Sequence, residues 1–270
     1  MASLAPKFDR SVRGSQGGNI VLRSLVFNLL FYLITVIYMI AAFPAVLLPR
    51  HAMLGVAKIW GRTHLWLLRR ICGITVEWRG LDHIPKGPLL VASKHQSTWE
   101  TFALIPLFAD PTFIVKRELF FVPIFGWYMW TADMIPINRR GGAPALAAMM
   151  RRAVRELGRG RQIIIFPEGT RRAVGAEPAY KFGVARLYAQ TGAACLPIAL
   201  NSGLVWPRRS WRRQPGVVRV EILEVIPPGL EPQQFFAQLM HTIETASARL
   251  IAEGSAPRRR PAQPPEACNG

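Results

Sequence analysis

The sequence predicts an α/β domain built on a mixed β-sheet covered by helices, preceded by an N-terminal hydrophobic membrane-anchoring helix. Two patterns carry that prediction. Between Arg23 and Arg50 stand 26 consecutive residues without a formal charge. From about residue 74, short apolar runs alternate with stretches of helical periodicity. Composition narrows the function classes. Half of the residues are apolar, which excludes a disordered or collagen-like chain. Three cysteines without a C-x-x-C pair exclude a disulfide framework and a cysteine zinc site. Lys and Arg total 34 against 16 acids, a formal +18, so the chain should seek anionic partners.

Taken in order, residues 1–23 read as a basic segment with Arg10, Arg13 and Arg23. The uncharged run that follows exceeds the roughly 20 apolar residues that a bilayer core needs. It is also longer than the h-region of a secretory signal, about 7–15 residues, so a retained anchor is expected. Pro44 and Pro49 should end or kink this helix. Residues 53–71 mix Trp60, Trp66 and leucines with Lys58, Arg62, Arg69 and Arg70. Such a helix either lies in the headgroup layer or packs on the domain. The heavier positive charge after the run sets the long C-terminal part on the cytoplasmic side. A hairpin dipping into one leaflet stays open beside a spanning helix.

Strands are expected at 74–78, 88–93, 112–116, 134–138, 162–166, 195–200 and 217–225. Helices are expected at 143–158, 181–190 and 232–252. The organisation is then an anchor with an interfacial helix over 24–72, one domain over 73–253, and a Pro- and Arg-rich tail over 254–270 expected to be disordered.

Two places invite chemistry. In Lys94-His95-Gln96-Ser97-Thr98-Trp99-Glu100, His95 follows directly on an apolar strand, where active-site loops of α/β sheets gather. In a continuous helix, residues five apart point roughly 140° away from each other. His95 and Glu100 therefore meet only if His95 lies in the turn before the helix. Ser97-x-x-Glu100 is a capping box that would start the helix at Thr98. Glu100 is thus either the partner of His95 or the cap partner of Ser97. In the second place, a strand runs into Pro167-Glu168-Gly169-Thr170-Arg171-Arg172. A Gly-containing turn can present N–H groups to an anion, and an Arg guanidinium binds phosphate oxygens in a fork. The chain has no Walker loop, G-x-G-x-x-G or G-x-S-x-G.

HQSTWE and FPEGTR, in this order and roughly 70 residues apart, resemble the first and third signature blocks of the glycerolipid acyltransferases, in the 1-acylglycerol-3-phosphate branch. Lys116-Arg117-Glu118-Leu119 with Pro123, Gly126 and 135–139 resembles the second block, and Leu196-Pro197-Ile198-Ala199-Leu200 the fourth. The resemblance spans about residues 75–225 and implies a glycerolipid-acyltransferase-like fold. Glu100 departs from the commoner Asp, Lys94 from Asn and Asn138 from Asp.

The resemblance implies a catalytic pair, His95 as general base and Glu100 orienting its ring. It implies substrate binding through Lys116, Arg139, Glu168, Gly169, Thr170, Arg171 and Lys181, with the acceptor phosphate held by the glycine turn and the cations. No metal and no resident cofactor are expected; acyl-CoA or acyl carrier protein is the co-substrate. The expected partners are a lysophospholipid acceptor and membrane lipid, without nucleic acid, at a bacterial inner membrane. Three rivals remain: the same chemistry on another lyso-lipid such as lyso-ornithine lipid; a hydrolase using Ser97; and a non-enzymatic binder of nucleic acid or anionic membrane. The last would rest on Trp206, Arg208, Arg209, Trp211, Arg212 and Arg213.

Overall fold

The computed structural model describes residues 11–255, with side chains from residue 18 onward. Two helices come first, α1 (Ser11–Ala41) and α2 (Arg50–Leu67). Pro44 lies in the 3-10 turn between them and Pro49 caps α2, as the prolines foretold. The boundary expected at residue 23/24 falls inside α1, because the apolar pattern begins before the last basic residue. The disordered tail was expected where residues 256–270 lie outside the described residues, while 254 and 255 close the last helix.

Seven strands form one sheet: β1 (Ile74–Arg79), β2 (Leu89–Ser93), β3 (Pro111–Lys116), β4 (Ile135–Ile137), β5 (Gln162–Ile165), β6 (Cys195–Leu200) and β7 (Gly216–Ile222). Their order is β1-β7-β6-β2-β5-β3-β4. Every pair is parallel except β6 with β7, so the sheet is mixed as expected. All seven expected strands form. The last is shorter than expected: after Ile222 the ladder breaks, and only an isolated bridge at Ile226 returns to Cys195.

The remaining helices are α3 (Glu100–Ala103), α4 (Phe125–Thr131), α5 (Gly142–Gly158), α6 (Gly183–Thr191) and α7 (Pro232–Ser255). β2 shows how they layer. Leu89 and Val91 face one core with Phe27, Leu68, Trp99 and Phe102. Leu90 and Ala92 face the other, filled from α5, α6 and α7 by Ala153, Leu187 and Leu239. A strand buried on both faces needs no polar alternation, which is why β2 reads as one apolar run.

α1 and α2 form a hairpin whose seam is polar as well as apolar. The Trp60 indole N–H donates to Thr35 Oγ1 at 3.1 Å, and Tyr38 and Thr63 share a hydroxyl bond of 2.9 Å. One stripe of α1, including Ser24 and Phe27, is fully buried. Leu22, Leu29, Ile37 and Ile40 stay exposed on the other side. Gly18–Ala41 is long and apolar enough to cross a membrane by length and composition, with mean hydropathy 2.2. The helix expected at 53–71 starts at Arg50 and ends in a π-turn over Leu68–Cys72. Met53, Leu54, His64 and Leu67 pack inward, while Ile59 and Trp66 face outward.

Topology fixes where a site can open. From β2 the chain crosses by α3 on one face to β3; from neighbouring β5 it crosses by α6 on the other face to β6. Where two adjacent parallel strands send their connections to opposite faces, a crevice opens beyond their carboxyl ends.

Candidate active site

The turn after β2 and the turn after β5 meet at that crevice. The Arg172 N–H donates to the His95 carbonyl at 2.8 Å, and the His95 N–H donates to Glu168 Oε2 at 3.2 Å. Arg171 Nη1 donates to Thr98 Oγ1 at 2.6 Å. With the Lys94–Glu168 ion pair, the two turns are thus tied by four cross-links.

Within the first turn, Glu100 is fully buried and gathers four donors. Its Oε1 accepts His95 Nδ1–H at 3.0 Å and the N–H groups of Gln96 (2.6 Å) and Ser97 (2.7 Å). Its Oε2 accepts the Ser202 hydroxyl at 2.9 Å. The alternative drawn from the sequence dissolves: one oxygen orients the imidazole and also satisfies the turn's backbone. The helix begins at Glu100 rather than Thr98, with Thr98 in the bend. Ser97 Oγ accepts the Trp99 N–H at 3.2 Å, so it serves the turn and not His95.

With Nδ1 donating to a carboxylate, the lone pair of the neutral His95 ring sits on Nε2. The ring stacks on Phe166, centroids 4.0 Å apart, and is only 13% exposed. It forms part of the wall of a cavity of about 410 Å³, otherwise mostly apolar, enclosed by α1, α2, β3 and α4 through residues such as Met39, Leu54, Trp60, Phe113 and Met129. Lys116 and Arg139 stand on the same wall. They are brought together because Lys116, ending β3, is in register with Ile137 of β4, two residues before Arg139.

The second turn is more open. Gly169 adopts φ +66, a conformation that costs glycine little, and its N–H closes the turn on the Phe166 carbonyl at 2.9 Å. The nest expected here therefore lacks the Gly169 and Arg172 amides. Thr170 and Lys181 are exposed, Arg171 is half-buried, and Lys181 passes alongside Gly169. None of these four residues lines the His95 cavity, so the expected phosphate-binding residues divide into a cavity pair and an outer group.

Glu168 is the buried hub between them. Its Oε1 accepts Lys94 Nζ–H at 2.9 Å, and Lys94 also donates to Glu244 Oε1 at 2.5 Å, which the Tyr180 hydroxyl reaches at 2.8 Å. Burial pushes the Glu168 carboxyl above the usual range despite the pull of Lys94, and nearby Glu244 adds to the push. Sequence reasoning marked Lys94 only as a departure and missed Glu244, Tyr180 and Ser202, which come from distant elements with no local signal. Among the described residues no group of three His, Cys, Asp or Glu side chains could hold a metal ion.

Other chains are similar to this one. The Acyltransferase family model matches residues 75–201, which contain both turns. A 1-acyl-sn-glycerol-3-phosphate acyltransferase of Pseudomonas aeruginosa is 37% identical over 209 residues, 77% of this chain and 81% of that one. A chloroplastic 1-acyl-sn-glycerol-3-phosphate acyltransferase of Arabidopsis thaliana is 30% identical over 158 residues, 57% of this chain but only 43% of that longer relative. The crystal structure of a 1-acyl-sn-glycerophosphate acyltransferase from Thermotoga maritima superposes with a TM-score of 0.70 at 24% identity, covering 86% of this chain and 98% of that one. That last likeness speaks to the fold.

Proposed function

The chain belongs to the acyltransferase family of the 1-acyl-sn-glycerol-3-phosphate acyltransferases, and from that premise we propose that it transfers a fatty acyl group to the free hydroxyl of 1-acylglycerol-3-phosphate, giving phosphatidic acid. The donor is an acyl thioester, acyl-CoA or acyl carrier protein. One observation carries the mechanism: His95 has Nδ1 held by a buried carboxylate while its ring forms part of the wall of an apolar cavity.

His95 Nε2 takes the proton of the acceptor hydroxyl as that oxygen bonds to the thioester carbonyl carbon. The C–S bond then breaks, and the leaving thiolate takes the proton back from the imidazolium. Glu100 keeps the tautomer and stabilises the positive ring between the two steps. The acyl chain lies in the cavity, whose volume falls in the range of ligand sites, roughly 300–1,000 Å³. For the acceptor phosphate, Lys116 and Arg139 supply charge from the cavity wall, and Arg171, Lys181 and the Thr170 hydroxyl supply charge and donors from the outer turn; Gly169 shapes that turn and Glu168 orders it. No step calls for a metal or resident cofactor. The exposed apolar side of α1 supports membrane association. Cations such as Arg62, Arg69 and Arg70 support a catalytic domain on the cytoplasmic side of a bacterial inner membrane.

His95→Ala tests this. Acyl transfer to lysophosphatidate should fall about 10²–10⁴-fold, the usual cost of removing a general base, with membrane binding and melting retained. Wild-type turnover in that variant would refute the mechanism. Thioester release measured with and without lysophosphatidate, and with other lyso-lipids, tests the acceptor.

A further inference from the structure

The arginine- and tryptophan-rich loop before β7 plays no part in the chemistry above. With α1 it borders a second, open hollow of about 420 Å³, lined by Leu25, Asn28, Tyr32, Arg209, Trp211 and Arg213 among others. No lining residue is shared with the His95 cavity.

Arg213 is the unusual member. It is 6% exposed, and its guanidinium lies 3.8 Å over the Trp206 ring. Its Nη groups donate to the carbonyls of Ser210 (2.8 Å) and Arg212 (3.2 Å) and to Asn28 Oδ1 (2.8 Å), all of them neutral acceptors. Its Nε has no partner. No carboxylate pairs with it among the described residues, and burial brings its pKa down to about 10. A buried cation left without a counter-charge is costly, and an anion entering the hollow would relieve that cost. Around it the loop is built to hold shape. Arg209 takes the left-handed conformation at φ 58, and Asn28 Nδ2 donates to the Trp211 carbonyl at 2.7 Å, joining loop and helix. Arg209 and Arg212 remain exposed at the rim.

The other wall tells what carries the anion. Leu25, Leu29 and Tyr32 stand at i, i+4 and i+7 on α1 and are all exposed, a continuous apolar stripe running from the hollow along the helix. A ligand with a phosphate at one end and hydrocarbon at the other matches both walls. We propose that this hollow binds the phosphate of an anionic phospholipid headgroup of the surrounding leaflet, with that lipid's chains lying along Leu25, Leu29 and Tyr32. It is a site separate from acyl transfer, and binding, not turnover, reads it.

The test is partitioning of the purified full chain onto phosphatidylcholine vesicles with and without a minority of phosphatidylglycerol. Phosphatidylglycerol should strengthen binding of the wild type. Arg213→Met, and separately Arg209→Gln with Arg212→Gln, should lower that gain by roughly fivefold per charge removed, leaving binding to neutral vesicles unchanged. The second variant touches only exposed side chains, so it reads the site even if Arg213→Met misfolds. Arg151→Gln with Arg186→Gln, exposed on α5 and α6, should leave the gain intact. An equal loss in that control pair would reduce the effect to net charge and overturn the proposal. So would an unchanged gain in the loop variant. If free CoA displaced the phosphatidylglycerol effect and the loop variant raised KM for acyl-CoA, the hollow would serve the donor's phosphates, which also overturns it.

Discussion

β5 carries a buried charged cluster at each end, and the two differ in one respect. Ahead of the strand, Arg161 is fully buried and uses all five of its N–H donors. They go to Asp110 Oδ1, Glu156 Oε2 and the carbonyls of Pro111, Ala132 and Asp133, at 2.9–3.2 Å. Beyond the strand, Lys94, His95, Glu100 and Glu168 are as densely bonded, yet among the described residues His95 Nε2 has no partner and its ring sits on a cavity wall. The saturated cluster can only hold the sheet together. The one with a vacancy can act.

Four tests would break or sharpen that contrast, beginning with the largest effect. Glu100→Gln should slow acyl transfer by about 10²–10⁴-fold, because an amide oxygen can still accept the ring N–H but carries no charge to stabilise the imidazolium. It should also lower stability, since a neutral oxygen holds the two backbone amides less strongly. A melting loss without a rate loss would make the second cluster as structural as the first. Arg161→Met should cost about 3–5 kcal/mol of stability by removing the buried cation shared by Glu156 and Asp110 and the donor to three carbonyls. KM for both substrates should be unchanged in the folded fraction, as read by denaturant titration and initial rates. A changed KM would show that the two ends communicate.

Arg171→Ala comes third. KM for the phosphate-bearing acceptor should rise roughly 10- to 150-fold, the loss of a charged hydrogen bond of about 1.5–3 kcal/mol, with KM for the thioester little altered. Lys at this position should recover only part, since it lacks the fork. A defect confined to the thioester would assign the outer turn to the donor.

The smallest effect is in pH dependence. Burial pushes both Glu156 and Glu168 upward, but bonds from Arg161 and Arg155 and the charges of Arg159 and Arg161 carry Glu156 below its usual range. Glu168 stays above it. Glu156 therefore contributes stability that is present above the unfolded carboxylate value and lost as pH falls through the lower, folded one. Glu168 contributes in the opposite sense: its share is full below about 4.5 and declines as pH rises through the raised value. Relative to wild type, the Tm of Glu168→Gln should shift upward as pH rises above about 4.5, while that of Glu156→Gln should shift downward as pH rises toward about 4.5 from below and then level off. Parallel slopes would erase the electrostatic difference between the clusters.

The fold was legible because its central strands β2, β5 and β6 are buried on both faces and read as unbroken apolar runs; Ile163, Ile164 and Leu196 needed no partner to be recognised. α4 was not legible, since Phe-Gly-Trp-Tyr-Met-Trp has no polar face to mark its period. In the site, the local pair His95 and Glu100 could be read from spacing, and the two turns from their blocks. Ser202 and Glu244 could not. They reach the cluster from 102 and 150 residues away from their partners, through the sheet's order, which no local pattern encodes.

That order also bears on how the chain is born. β1 is an edge strand whose sheet partner is β7, and Ile74 pairs with Gly216, 142 residues later. Phe27 likewise waits for Trp206. At a ribosomal pace of about 5–20 residues per second, β1 precedes β7 by roughly 7–28 s and Phe27 precedes Trp206 by roughly 9–36 s. During that interval both sides of α1 are uncovered, and hydrocarbon is the medium that can receive them. The sheet closes over α1 last, so the catalytic domain assembles against a hairpin made long before it.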